Sequence, residues 1–258
     1  MSFVGEHVIA GLAERHGVPP GVAQELSGLL RPSVLLVRHE DLPSGIESPG
    51  RPAGRTGGLP SLPEGVEWPA GAEPFALAVD CAALPGGWLD IDLPPDGHLV
   101  FFTSFRYEPE RSAVLHVPAG IPTTERVPPA DMDDQEIVPH EPHSLYAVAG
   151  LTIDHDWDCA PATSAFGDSA PGRDEVLEGF VEAVLNSIHS GPAPNAVAQI
   201  GGFSRQWQVP PDQDGLVLLV QIAGNGVDET LFTLNLAVGT REAIAARRWE
   251  ELEWEQQC

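Results

Sequence analysis

Lysine is absent from this chain, and positive charge of any kind is scarce. All 13 basic residues are arginine, against 38 aspartates and glutamates, for a formal net charge of −25. Such a field repels nucleic acid and anionic membrane and removes both as expected partners. It leaves a solvated acidic surface, or one that attracts a basic protein or cations. The choice of arginine alone reflects genome composition as much as function.

Cysteine is also sparse. Cys81, Cys159 and Cys258 are odd in number and far apart, which argues against a disulfide framework. Cys81 lies in an apolar run and reads as a small core residue. No apolar stretch approaches transmembrane length, and the N-terminus lacks a basic-then-apolar signal pattern, so a soluble, cytoplasmic protein is expected. Paired Cys-x-x-Cys, His-Glu-x-x-His, Gly-x-Ser-x-Gly and a glycine-rich nucleotide loop in a strand–loop–helix setting are all missing. No cofactor and no resident metal are therefore expected, and no catalytic residue stands out.

What the chain does have is turn chemistry. It carries 27 glycines and 26 prolines in 258 residues, with a hydrophobic fraction of 42%. That favours many turns and short strands around a sizeable core, an α+β, mainly β fold. The organising stretch runs from Arg55 to Trp68, where Gly57-Gly58 is followed by Pro60, Leu62, Pro63, Trp68 and Pro69. The glycines supply φ > 0 or a close approach, and the prolines exclude a helix. A weaker version recurs at Gln199-Ile200-Gly201-Gly202-Phe203-Ser204-Arg205-Gln206-Trp207-Gln208. Each copy precedes an apolar run, at 75–80 and 216–222, and then a second strand-like run, at 99–102 and 231–234. This order reads as an internal duplication: a first pseudo-repeat over 31–117, a connector with strands over 118–172, and a helix plus second pseudo-repeat over 173–258, in one unit spanning 1–258.

These residues carry a resemblance. Gly57, Gly58, Pro60, Leu62, Pro63, Trp68 and Pro69 match a Gly-Gly-x-Pro-x-Leu-Pro-x(4)-Trp-Pro motif, and the chain resembles the YwqG-like family of bacterial proteins, a domain of unknown function. Gly201, Gly202, Phe203, Gln208, Leu218, Leu219, Gln221 and Ile222 match its later elements, and Trp254 and Cys258 its ending. The resemblance covers roughly 30–258. It implies duplicated, roll-like β-sheet units with a few packing helices, and no established activity. This chain departs from the family pattern at Ala78, where glutamine is usual, and at Ser204, where proline is usual.

In chain order, apolar spacing predicts helices over 6–15 and 20–30, the second ended by Arg31-Pro32, and a strand over 34–37. Further strands are expected at 75–80, 98–105, 113–117, 145–148, 151–153, 216–222 and 230–237, and a last one in the alternating tail from Leu252 to Gln256. Residues 118–143 read as an exposed connector. The clearest helix is 173–189, with Val176, Leu177, Phe180, Val181, Val184, Leu185 and Ile188 on one stripe. Thr240 is placed to cap a helix over 241–248.

Two readings of the chemistry follow. In the first, the protein is a non-catalytic binding or interaction protein, with a basic protein or a small anionic ligand as partner. A cleft between the repeats would be lined by Arg55, Trp68, Arg205, Gln208 and Gln221, the two arginines making a positive spot for a carboxylate or phosphate. Against this, the arginines could form surface salt bridges, Trp68 and Trp207 could be core plugs, and Gln221 could satisfy backbone. In the second reading, Asp154, His155, Asp156, Asp158 and Cys159, with His140 and His143, supply a hydrolase or metal-binding site.

Overall fold

The computed structural model describes residues 5–44, 50–69, 73–106, 109, 111–128, 139–188, 195–205 and 208–258. Helices α1 (Glu6–His16) and α2 (Pro20–Gly28) come first. Gly17, at φ 71°, ends α1 in the left-handed conformation, and Pro20 opens α2 at the position where its missing N–H has no consequence. Strands β1 (Leu30–Val37), β2 (Gly54–Thr56), β3 (Ser61–Pro63), β4 (Phe75–Asp80), β5 (His98–Phe102), β6 (Ala113–Val117), β7 (Thr123–Glu125) and β8 (His143–Ile153) follow. Helices α3 (Pro161–Gly167) and α4 (Arg173–Leu185) precede β9 (Ala198–Ile200), β10 (Leu216–Ala223), α5 (Gly224–Val227), β11 (Leu234–Thr240), α6 (Arg241–Ala245) and β12 (Glu253–Gln257).

Ten strands form one curled antiparallel sheet in the order β12-β11-β10-β9-β1-β8-β2-β4-β5-β6, and β3 pairs with β7 apart from it. The β1–β8 ladder, from Leu30 opposite Ile153 to Val37 opposite Tyr146, is the centre. Outward from it run two arms of four strands: β2, β4, β5 and β6 in the first, β9, β10, β11 and β12 in the second. Their registers correspond. Arg55 faces Ala78 as Gln199 faces Gln221; Leu77 faces Phe101 as Val220 faces Ala237; Phe101 faces Val114 as Ala237 faces Trp254. A register shift interrupts the first arm between Phe75 and Leu77, and the second between Leu218 and Val220. Both glycine doublets have positive φ at both residues.

The inner faces of the arms share one core, which includes Leu77, Val79, Leu99, Phe101, Val220, Ile222 and Ala237. Asn235, fully buried, crosses between the arms: its Nδ2 donates to Thr103 Oγ1 at 2.7 Å and to the Ser104 carbonyl at 2.6 Å. The outer face of the first arm is sealed by Leu62 and Trp68 over Phe75, Val100 and Phe102. The helices make a separate core, where α1, α2 and α4 close on Leu151 and Ile153 of β8.

Several expectations are revised. Leu30 and Arg31-Pro32 belong to β1, not to the end of a helix. A proline is tolerated there because β9 pairs only with residues 34–36, so no ladder donor is lost on that side. The two expected strands at 145–148 and 151–153 are one, β8. Part of the 118–143 connector is ordered as β7, all three residues exposed as expected for a connector, while 129–138 lie outside the described residues. The strand expected from residue 230 begins at Leu234, because Asp228 Oδ1 accepts from the Thr230 N–H and hydroxyl and turns the chain first. Helix α4 ends at Leu185, Thr240 caps α6 by accepting from the Ala243 N–H, and α3 was not anticipated. No helix among the described residues is long and apolar enough to cross a membrane.

Candidate functional site

A cleft of about 890 Å³ opens on the outer face of the sheet, where α4 stops short of covering β9 and β10. Its apolar wall comes from Val181 and Leu185 of α4, and Leu35 of β1 contributes to the floor. Gln199 and Gln221, register partners on adjacent antiparallel strands, add two amides to that floor. They are 5% and 7% exposed.

The amide orientations follow from their partners. Gln199 Nε2 donates to the carbonyls of Gly201 at 2.9 Å and Phe203 at 2.8 Å. Two carbonyl acceptors require nitrogen there. Gln221 Oε1 accepts the Arg205 N–H at 2.7 Å, which requires oxygen. The loop after the second glycine doublet is thus tied to β9 and β10 by two buried side chains. A third tie comes from Asp212, whose carboxylate accepts the Ser204 N–H at 3.0 Å and the Ser204 hydroxyl at 2.5 Å. A proline at 204 would have no N–H for this bond.

His155 lies beside this clamp, its Nε2 3.5 Å from Ser204 Oγ and 3.9 Å from Asp212 Oδ1. Serine, histidine and aspartate meet here in the wrong order for acyl transfer. A nucleophilic serine needs the imidazole between it and the carboxylate; here the carboxylate takes the hydroxyl hydrogen directly. The remainder of the expected polar cluster disperses. Asp154 Oδ1 accepts the Asp156 N–H in a local turn, and His140 lies against Asp228 at 3.6 Å. Cys159 is exposed, and the neighbouring Asp158 carboxylate pushes its thiol above the ordinary range, which disfavours the thiolate. Among the described residues, no three histidine, cysteine or acidic side chains converge as a metal site.

Of the five residues expected to line a site, the cleft brings together Arg205 and Gln221. Arg55 sits in the first arm, where its guanidinium donates to the Gly57 carbonyl at 2.9 Å and to that of Leu59, and lies over the Phe75 ring. Trp68 packs edge-on against Phe102 and donates Nε1–H to the Glu73 carbonyl at 3.1 Å. Gln208 is exposed, with Nε2 3.4 Å from the Cys258 carbonyl. Trp207 and Gln206 lie outside the described residues. Gln199, Ser204 and Asp212 were not anticipated as functional. The only sequence sign of Gln199 was a polar side chain two residues before a glycine doublet.

The charge of the cleft is also not the expected one. Arg38 and Arg205 line it, but so do Asp41, Glu178, Glu182 and Glu229. Asp41 is engaged by Asn195 Nδ2 at 2.8 Å. Carboxylates therefore outnumber guanidinium groups around the opening.

Together these features describe a mainly β protein with a ligand-sized cleft on the outside of one arm. The sequence model of a domain of unknown function, DUF1963, matches residues 54–240, and the chain belongs to that family. The match spans both glycine doublets and both floor glutamines, Gln199 and Gln221. No curated protein matches the sequence.

Proposed function

We propose that the protein is a non-catalytic binding protein, and that its cleft takes a positively charged partner. The observation that carries this reading is the composition of the cleft: an apolar and amide floor under a rim with more carboxylates than arginines, in a chain of net charge −25. Of the two expected partner classes, the basic one fits this rim. A small anion would meet Glu178 and Glu182 on the helical wall. The order Ser204–Asp212–His155 supports a loop clamp over a nucleophile–base pair. We also read the two arms as a duplicated unit, supported by their shared strand order, register and interruption, in keeping with the YwqG-like resemblance. A cytoplasmic location belongs to the same reading.

Calorimetric titration with an acetylated, amidated peptide of alternating alanine and lysine tests the partner class. Saturable binding is expected, weakening as salt rises and falling at least roughly fivefold in Glu178→Gln with Glu182→Gln. Failure to bind, or binding indifferent to both substitutions, rejects this site. Turnover of generic ester, phosphate or peptide substrates that disappears in His155→Ala would replace the reading with an enzymatic one.

A further inference from the structure

The clamp that holds the loop leaves half of each floor amide unused. Gln199 spends both donor bonds on carbonyls, and its Oε1 has no partner among the described residues. Gln221 spends its oxygen on the Arg205 N–H, and its Nε2 has no partner among them. Both side chains are more than nine-tenths buried and line the cleft. An amide atom at the floor of a cleft with no protein partner bonds to water or to a ligand there. Neither atom is sealed off: the side-chain atoms both buried and unpartnered among the described residues are Arg31 Nη1, Ser33 Oγ, Arg38 Nε, Thr56 Oγ1 and Arg126 Nε. The floor therefore presents one acceptor and one donor, side by side and fixed by backbone that cannot bond to them the other way round.

We infer that Gln199 Oε1 and Gln221 Nε2 form a peptide-reading pair. They accept the N–H and donate to the C=O of main-chain amides in an extended basic segment lying along β9. This rests on the proposed basic-partner reading and names the atoms that read its backbone. A main-chain amide is the complement of one acceptor beside one donor. An extended segment also fits the length available. From Arg38 at one end, level with the start of β9, the cleft passes the glutamines and reaches Ser204 and Arg205 at the other. Three residue steps at extended spacing, as from Ala196 to Gln199, cover about 10 Å. Side chains leaving such a segment toward α4 meet Glu178 and Glu182, and one leaving at the Arg38 end, where Arg38 holds the Gly226 carbonyl, meets Glu229. The main-chain pair then supplies affinity and the carboxylates supply preference for lysine or arginine.

The first arm provides the control. Arg55, at the position corresponding to Gln199, makes the same two carbonyl bonds but has no acceptor atom, and Ala78 stands opposite in place of Gln221. Gln199→Arg should therefore keep the loop clamp while deleting the acceptor that faces the cleft. Gln221→Glu keeps the oxygen that holds the Arg205 N–H and deletes the donor.

The experiment is a set of titrations of the full chain with the alanine–lysine peptide and with versions in which one main-chain amide at a time is replaced by an ester, deleting a single N–H. Wild type should lose roughly tenfold in affinity for one ester position. Gln199→Arg should bind that ester and the parent peptide alike, whatever its new charge does to both. Gln221→Glu should bind the parent more weakly than wild type despite its added negative charge, and should melt within a few degrees of it. If every ester binds wild type as the parent does, or the ester penalty survives in Gln199→Arg, the pair does not read peptide. Binding that depends on Glu178 and Glu182 would in that case leave the cleft reading standing. Binding of no peptide at all removes both.

Discussion

In the first arm Arg55 reaches forward to the carbonyls of Gly57 and Leu59; in the second, Gln199 reaches forward to those of Gly201 and Phe203. The steps along the chain are the same, two and four residues, and so is the task of pinning a left-handed glycine turn to the strand before it. The chemistry differs in what is left over. A guanidinium holds only donors, and the surplus charge of Arg55 rests on the Phe75 ring, under a loop that seals the surface with Leu62 and Trp68. A carboxamide holds an acceptor as well, and beside it Gln221 keeps a donor where the first arm has Ala78. One arm is closed by its loop and serves stability. The other keeps the same scaffold with an open floor. Exchanges at two equivalent positions, Arg55 against Gln199 and Ala78 against Gln221, separate a sealed face from an open one.

The comparison is broken most severely at the glycines. A Cβ on Gly57 would lie 2.1 Å from the Glu141 carbonyl oxygen, at φ 64°. A backbone atom cannot rotate aside, so Gly57→Ala should destabilise by about 2–4 kcal/mol. A Cβ on Gly201, at the same φ, would lie 3.1 Å from Leu89 Cδ2, the end of a side chain that can yield. Gly201→Ala should then destabilise by only about 1–2 kcal/mol, most of it from the left-handed backbone. Urea unfolding of the two variants gives the ranking. Equal losses would mean that packing around the doublets is the same in both arms.

The clamps sharpen the comparison at smaller size. Arg55→Ala removes two charge-assisted bonds and a ring contact, and about 2–3 kcal/mol of stability should go with them. Burial holds the Arg55 guanidinium below its usual range, while Glu125 favours its charge. Arg55→Gln, which copies the second arm, should recover roughly half of that loss. Glutamine that restores nothing would show that the stabilisation comes from the ring and the charge, not from the two carbonyls.

Much of this scaffold was legible in the sequence, and the reasons for the exceptions are physical. Glycine doublets followed by apolar runs marked both arms because turn chemistry and strand pattern are local. The β3–β7 pairing was not legible, since Ser61–Pro63 and Thr123–Glu125 are only three residues each and about sixty residues apart. Leu29 and Leu30 continue a helical stripe, so the entry into β1 could be recognised only from its partners in β8. At the site, Gln221 was visible as an amide inside an apolar run. The pairing of Arg55 with Arg205 misled because both lie near a doublet. Arg55 precedes its doublet by two positions and Arg205 follows its own by three, and the residue at the same offset as Arg55 is Gln199. Ser204 departed from the family pattern, but its N–H mattered only once Asp212, eight residues on, was seen to receive it.

The smallest expected effect concerns the contact that joins the first-arm loop to the second arm. The His140 carbonyl accepts the Gly58 N–H at 2.8 Å, while its ring lies 3.6 Å from Asp228 Oδ2, beyond the end of α5. The ring is largely enclosed, and that burial holds His140 below the ordinary histidine range, with Asp228 pulling the other way. A histidine depressed in the folded state binds its proton more readily when unfolded. Its contribution to stability is therefore full above the unfolded value near 6.5 and is lost as pH falls below it toward the folded value. The Asp228 carboxylate is held below its usual range, mainly by the Thr230 N–H and hydroxyl, and its contribution is lost only further down, below about pH 4. Thermal melts between pH 7.5 and 5 should fall through the upper window, and His140→Gln should flatten that part of the curve. Asp228→Asn removes the group that favours the protonated ring, so it should steepen the loss between pH 6.5 and 5. A curve that is the same in wild type and His140→Gln would place the titration elsewhere and leave this contact between the arms neutral to pH.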